Sequence, residues 1–329
     1  MRLLMLGGTG FVGGATVAEA VGRGWSVTVF NRGVHGRVPP GVHRLRGDRT
    51  APDGLAALAD GEWDLVVDTW DGAPRGVRDA ACALAGRVGQ YTYISSGSVY
   101  VASPPAQVGE GAPTVEASAD ATDGDYAQCK AGGELAATEV YGERALLVRA
   151  GLILGPGEDI GRLPWWLQRV ARGGDVLAPG PADLPVQYID VRDLAGWTLD
   201  RAAEGVGGAF NVISRSGHTT IGELLASIVA VTGSDARLRW TDPESILAAG
   251  VVPWNDLPIW IPPGHEFRWL QERGVEKAYA AGLTCRPVAD TVADTWRWLR
   301  AVGSVPPRAG RPARVAVGLD AEREAALLA

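Results

Sequence analysis

A chain of 329 residues with 46% apolar and 21% charged side chains can bury a full core in one large or two modest domains, and it has neither the composition of a disordered protein nor an apolar run long enough to span a bilayer. Its formal net charge of −7 argues against the broad cationic field that drives general nucleic-acid binding, and its arginine-rich stretches at 32–49 and 308–314 read as solvated surface. Cys82, Cys129 and Cys285 are odd in number, far apart and without metal-ligand spacing, as are His35, His43, His218 and His265, so reduced thiols, a cytoplasmic location and no metal are expected.

The apolar run at 3–6 has the character of a strand buried on both faces, and it stops at Gly7, too early for a secretion signal. A helical pattern follows to about Gly22, then a strand at 26–30 that ends in Asn31-Arg32-Gly33, which makes a βαβ unit. A short strand at 42–45, a helix at 55–58, strands at 65–68 and 91–95 around a helix at 75–84, a long helix at 126–141 and a strand at 145–148 continue the alternation. This predicts an α/β fold, a Rossmann doubly wound parallel sheet whose strand carboxyl ends share one edge. Residues 103–125, rich in Pro, Gly, Ala and acids, read as a surface loop that either flanks a site or simply connects. Beyond Gly155 come Trp165, Trp166, Trp240, Trp254, Trp260 and Trp269, most of them expected in ordinary packing, with strands at 186–189 and 210–213 returning to the sheet and a terminal helix at 320–328.

Gly8-Thr9-Gly10-Phe11-Val12-Gly13 sits between the first strand and first helix, where Gly8 and Gly10 permit a tight turn and close approach of a pyrophosphate and Gly13 permits close helix–strand packing. Gly7, Gly8, Thr9, Gly10, Phe11, Val12 and Gly13 are therefore expected to bind a dinucleotide. Where an acid would accept the 2′-hydroxyl of NAD, the second strand ends in Asn31 and Arg32; an amide and a guanidinium suit a 2′-phosphate, so NADP is preferred, with NAD the alternative. Asp48 either accepts the adenine amino group or satisfies its own turn. Tyr126 and Lys130, one of only two lysines, stand four apart on one helix face, where the ammonium lowers the phenol pKa and holds a ribose. Ser96, at the end of the fifth strand, lies on the same sheet edge and holds a substrate oxygen. Residues 1–155 with strands near 186–215 then form the NAD(P)-binding domain, 156–302 a smaller interleaved C-terminal subdomain for substrate, and 303–329 a linker and helix.

The glycine loop, Ser95-Ser96-Gly97-Ser98-Val99-Tyr100, and Tyr126 with Lys130 together resemble the extended short-chain dehydrogenase/reductase superfamily, in its NAD(P)-dependent epimerase/dehydratase-like branch. Leu154-Gly155-Pro156-Gly157 and Tyr188-Ile189-Asp190-Val191-Arg192-Asp193-Leu194-Ala195 extend that resemblance to about residue 300. It implies that Ser96 orients the substrate oxygen, Tyr126 is general acid/base and Lys130 holds the nicotinamide ribose. Asp48 and Arg49 would lie by the adenine, Thr69, Trp70 and Ser95 near the cofactor, and Ala150, Gly151 and Leu152 beside the nicotinamide.

Three functions follow in order. The first is net oxidation or reduction of an alcohol or carbonyl with NADP(H). The second is an epimerase or dehydratase acting on a sugar nucleotide or related metabolite; Gly97 and Ser98, in place of an acidic pair, weaken dehydration, which needs a further acid and base. The third is a non-catalytic RNA-binding relative, similar at Asn31-Arg32-Gly33 and 154–157 but disfavoured by Tyr126, Lys130 and the acidic charge. The later half offers tryptophans and no basic cluster for a diphosphate, so a small apolar or aromatic substrate is expected, with no membrane or nucleic-acid partner and a homodimeric or monomeric state.

Overall fold

The computed structural model describes residues 1–34, 36, 38–101, 108–305 and 317–329; His35, the start of the 103–125 loop and the basic stretch 308–314 lie outside the described residues. The first half runs β1 (Arg2–Leu6), α1 (Phe11–Gly22), β2 (Ser26–Asn31), β3 (His43–Arg46), β4 (Trp63–Asp68), α2 (Pro74–Leu84), β5 (Val88–Ser96), α3 (Tyr126–Tyr141) and β6 (Ala145–Ala150). The second runs β7 (Ile153–Leu154), α4 (Arg162–Ala171), β8 (Asp175–Pro179), β9 (Ile189–Asp190), α5 (Val191–Ala203), β10 (Gly208–Val212), α6 (Ile221–Thr232), β11 (Arg237–Thr241), α7 (Pro243–Ala248), α8 (Glu276–Ala280), α9 (Val288–Val302) and α10 (Ala321–Leu328).

Seven parallel strands in the order β10-β6-β5-β4-β1-β2-β3 form a doubly wound sheet consistent with a Rossmann fold. The continuous apolar run of β1 has a simple cause: successive side chains point to opposite faces. Leu3 and Met5 join the core under α1 and α5, while Leu4 and Leu6 join the one under α2 and α3. The chain winds from β1 outward to β2 and β3, then crosses back to β4 on the other flank. The crevice at this reversal is where open α/β sheets bind ligands.

A second core gathers α4, α6, α9 and the β8–β11 pair around Trp166, Leu167, Ile228, Trp260 and Val292. Its two fully buried indoles are satisfied, Trp166 by donation to Pro258 O (2.7 Å) and Trp260 to Gly180 O (3.1 Å), which is the packing role expected for most of the tryptophans. The terminal helix α10 packs on β8, with Glu324 accepting from Arg169 and from Leu177 N.

Three expectations change. The strand at 186–189 reduces to β9, which pairs only with β7, because Gln187 is turned to bind backbone at Ser214 and Arg273; only β10 rejoins the main sheet. The helix at 55–58 is a single 3-10 turn, Ala56–Leu58, fixed by one buried anchor, Leu58. The described part of the 103–125 loop is not all surface, since Val108 packs with Val99, Tyr100 and Trp269 and Ala119 packs under α3. Among the described residues no helix is long and apolar enough to cross a membrane.

Candidate active site

The glycine loop has the shape a dinucleotide needs. Gly7 and Gly8 take φ of +116° and +86°, and a Cβ on Gly13 would stand 2.8 Å from Gly8 N, so α1 could not approach the loop with any side chain there. At Gly10 a Cβ would meet nothing within 4 Å, and no side chain caps the helix that starts beside it. Open space in front of an uncapped helix N-terminus suits a pyrophosphate. Thr9, Phe11 and Val12 complete the turn and are partly exposed. Asn31 fixes the loop: its Nδ2 donates to Gly7 O and its Oδ1 accepts from Gly33 N, each at 2.9 Å. Arg32 next to it is exposed, and the Arg46 side chain packs against Gly33.

The residues named near the adenine behave differently. Asp48 accepts from Thr50 Oγ1 (2.7 Å) and Thr50 N (3.0 Å), which, with the Arg32 charge, holds its carboxyl below the usual range. That is the self-satisfied turn. Arg49 is a correction: its guanidinium turns inward, pairs through both Nη atoms with Asp68 at 2.8 and 3.0 Å, and stacks 4.8 Å over Trp70. The reason is Asp68, fully buried at the end of β4, also bound by Tyr91 Oη (2.7 Å) and in need of a counter-ion. Thr69 donates to Leu6 O (3.2 Å) and fills the space beside Gly7, while Trp70 donates its Nε1 to Ala73 O (2.9 Å).

Along β5 the strand alternation separates the two serines. Ser95 is the second correction, since its hydroxyl points inward to Glu134 Oε1 (2.5 Å) and so offers no side chain to a cofactor. Ser96 faces the other way, its Oγ accepting from Ser98 N (3.1 Å) and donating to Ser98 Oγ (3.2 Å). Helix α3 begins at Tyr126, behind a capping box in which Asp125 accepts from Gln128 N (2.8 Å) and Gln128 accepts from Asp125 N (3.1 Å). Tyr126 is 52% exposed; Lys130, one turn on, is buried and donates to Trp70 O and Ile94 O, both at 2.7 Å, with Nζ 4.7 Å from the Tyr93 ring centre. The ammonium is thereby pinned at the carboxyl ends of β4 and β5. Two glycines the sequence reading passed over make this possible: a Cβ on Gly132 or Gly133 would stand 2.5 Å from Pro74 or Tyr93 Oη. Burial pushes the Cys129 thiol up, consistent with an inert residue.

Across from Ser96 in register is Ala150. Gly151 leaves space that Ile213 fills, a Cβ there lying 2.0 Å from its Cδ1, and Leu152 packs into the second core. Asp190 of the Tyr188–Asp193 motif is structural, capping α5 through Arg192 N (2.9 Å) and accepting from Thr291 Oγ1 (2.8 Å).

Sequence reasoning missed two buried arginines. Arg149 on β6 grips Glu134 (Nε–Oε1 2.9 Å, Nη2–Oε2 2.7 Å) and donates to Tyr100 Oη and Glu110 O at 3.0 Å each; Tyr100 in turn donates to Asn211 (2.7 Å). One charge inside an apolar strand was the available signal. Arg273 lies over Gly97, where a Cβ would be 1.6 Å from its Nη1. It donates only weakly, from Nη1 to Ala150 O (3.3 Å), its Nε has no partner among the described residues, and burial pushes its pKa down to about 10. Nothing local in the sequence marked it.

A glycine loop at the sheet's topological switch, with Ser96 at the end of β5 and Tyr126 and Lys130 on α3, is the arrangement of the extended short-chain dehydrogenase/reductase superfamily. The model of the NAD dependent epimerase/dehydratase family matches residues 3–212, and the chain belongs to that family. No curated protein sequence matches it. Among solved structures it is similar to UDP-glucose 4-epimerase of Thermotoga maritima with UDP-glucose (16% identity, 92% of this chain and 100% of that one, TM-score 0.69). It is similar also to the Bordetella bronchiseptica enzyme WbmF in complex with NAD+ (20%, 91% and 92%, 0.64) and to Thermus thermophilus UDP-glucose 4-epimerase with NAD (22%, 91% and 99%, 0.63). At these identities the likeness is one of fold. The family match favours the second expected function, epimerase or dehydratase, over the net oxidoreductase ranked first.

Proposed function

We propose that the protein is an epimerase that inverts a carbinol centre by oxidising it and reducing it again with a retained NAD(P). The observation that carries this reading is Lys130, fixed by the Trp70 and Ile94 carbonyls at the strand ends, one helical turn below the exposed Tyr126 and across the switch-point crevice from the glycine loop. Gly7 to Gly13 and the start of α1 would hold the pyrophosphate of the cofactor and Lys130 its nicotinamide ribose; when bound, that group would supply a reversible hydride acceptor for the substrate carbon. Ser96, oriented by Ser98, positions the substrate oxygen, and Tyr126 takes its proton as carbon is oxidised and returns it as carbon is reduced. Gly97 and Ser98 supply no second acid–base pair, so inversion is favoured over loss of water.

The adenosine end favours NADP: Arg32 and Arg46 flank Gly33 beyond Asn31, and two guanidinium groups there complement a 2′-phosphate. The substrate is a small molecule; sugar nucleotides are the class to try first, because similar folds were solved with UDP-glucose and UDP. The test is protein loaded with NAD or NADP and given UDP-glucose and UDP-galactose bearing deuterium at the inverted carbon. Interconversion with label retained and no build-up of reduced cofactor is expected. Reduced cofactor accumulating with each turnover would replace the epimerase by a net dehydrogenase.

A further inference from the structure

We propose that Arg273 binds a carboxylate that the substrate carries next to its reacting carbon. This rests on the epimerase site described above and narrows its substrates to hydroxy acids. Among the described residues the other deeply buried guanidinium groups each face an acid: Arg49 faces Asp68, Arg149 Glu134, Arg169 Glu324 and Arg268 Glu272. Arg273 is 5% exposed and, among the described residues, forms no ion pair; the titratable groups that act on it are the phenols of Tyr100 and Tyr126, neutral at physiological pH. With a pKa of about 10 it stays protonated at neutral pH, so a bare positive charge stands in a dry place. An unpaired buried charge is among the most destabilising features a fold can carry, and proteins keep such features where function requires them.

Its location says what it waits for. The guanidinium fills the position of a Gly97 side chain and touches Ala150 O, and Gly97 follows Ser96, the register partner of Ala150. A group on the free guanidinium edge would therefore stand within about one residue of the Ser96 hydroxyl. The diphosphate of a sugar nucleotide lies a whole sugar ring from its reacting carbon and does not fit that constraint; a carboxylate on the neighbouring carbon does. Two carboxylate oxygens also match the parallel N–H pair of a guanidinium edge. Gln187 fixes the arginine backbone on both sides, accepting from Arg273 N (2.8 Å) and donating to Arg273 O (3.0 Å), so the cation is held ready before any ligand arrives. Val99 and Tyr100, next to Gly97 in sequence, form a buried cluster with Trp269, and the low exposure of Arg273 itself would strengthen such a pair. Only a residue with no side chain at position 97 leaves room for this arrangement.

The experiment measures binding and leaves turnover aside, so failure to epimerise UDP-sugars does not bear on it. The 329-residue protein, saturated with NAD or NADP, is titrated by calorimetry with D-gluconate, D-sorbitol and inorganic phosphate, for wild type, Arg273→Gln, Arg273→Met and Arg273→Lys. Gluconate is expected to bind wild type about tenfold or more tighter than sorbitol, to lose that preference in the Gln and Met variants, and to keep part of it in Lys. In the absence of ligand, Arg273→Gln and Arg273→Met should melt at or above the wild-type temperature, because a charge awaiting a partner is removed. Four results would each overturn the proposal: equal binding of gluconate and sorbitol, a preference surviving in Arg273→Gln, displacement of gluconate by phosphate at similar concentration, or a lower melting temperature in both neutral variants, which would mark a structural cation.

Discussion

Arg149 and Arg273 both reach the carboxyl end of β5, and both are almost wholly buried, at 6% and 5% exposure. Around Arg149 the polar groups close on one another, from Ser95 through Glu134 and the guanidinium to Tyr100 and Asn211. Every charge there has a partner, and the network ties β5, α3, β6 and β10 together. Around Arg273 there is a long bond to one carbonyl and an unpartnered Nε. Burial alone therefore does not separate a structural arginine from a functional one; the partner does. Glu158 falls between them. It is fully buried, accepts from Arg162 N (2.7 Å) and Leu163 N (3.2 Å) at the head of α4, and has its carboxyl pushed up to about 7 by burial against those stabilising bonds.

If the open region is where chemistry happens, Tyr126→Phe should lower turnover by roughly 10²- to 10⁴-fold while cofactor affinity stays nearly unchanged, measured by steady-state kinetics beside cofactor titration. Unchanged turnover would move the reacting centre elsewhere and remove the contrast. The closed region is tested by stability: Arg149→Leu should destabilise by about 3–5 kcal/mol in urea unfolding, since Glu134 is left buried without its counter-ion. Adding Glu134→Leu should recover part of that loss. A small effect of Arg149→Leu would mean that the network is dispensable.

The intermediate case has a pH signature. With a native pKa raised from 4.5 to about 7, Glu158 binds more protons folded than unfolded, so its contribution is fully present below about pH 4.5 and is lost as pH rises through 7. Glu158→Gln should flatten the stability profile in that window, by up to about 3 kcal/mol. An unchanged profile would show that the backbone donors outweigh burial and keep the carboxylate ionised. The smallest effect concerns the far end of the crevice: Arg32→Ala should weaken NADP about tenfold and leave NAD nearly unaffected, read from the two dissociation constants. Equal weakening of both would assign Arg32 to the adenine.

Much of the fold was readable because it depends on local rules. The β1 run, the glycine loop and α3 from Tyr126 to Tyr141 follow from period, caps and turn chemistry, and the structure places them accordingly. The site was readable as far as one element carried it: Tyr126 and Lys130 share a helix face, and Ser96 ends a strand. Where a side chain's direction depended on a partner distant in sequence, reading failed. The sequence places Ser95 and Arg49 beside the cofactor; in the structure Glu134 and Asp68 turn their side chains inward.

From residue order alone came the doubly wound sheet, its crevice and the three residues proposed to react, because periodicity and short motifs encode neighbours within a few positions. The tertiary structure decided the rest: that Lys130 leans on Trp70 and Ile94, that Gly132 lets α3 close on α2 and Gly133 on β5, and that Arg273 comes from well over a hundred residues away to stand over Gly97. Coulomb energy and desolvation depend on distance in space, which no spacing along the chain reports.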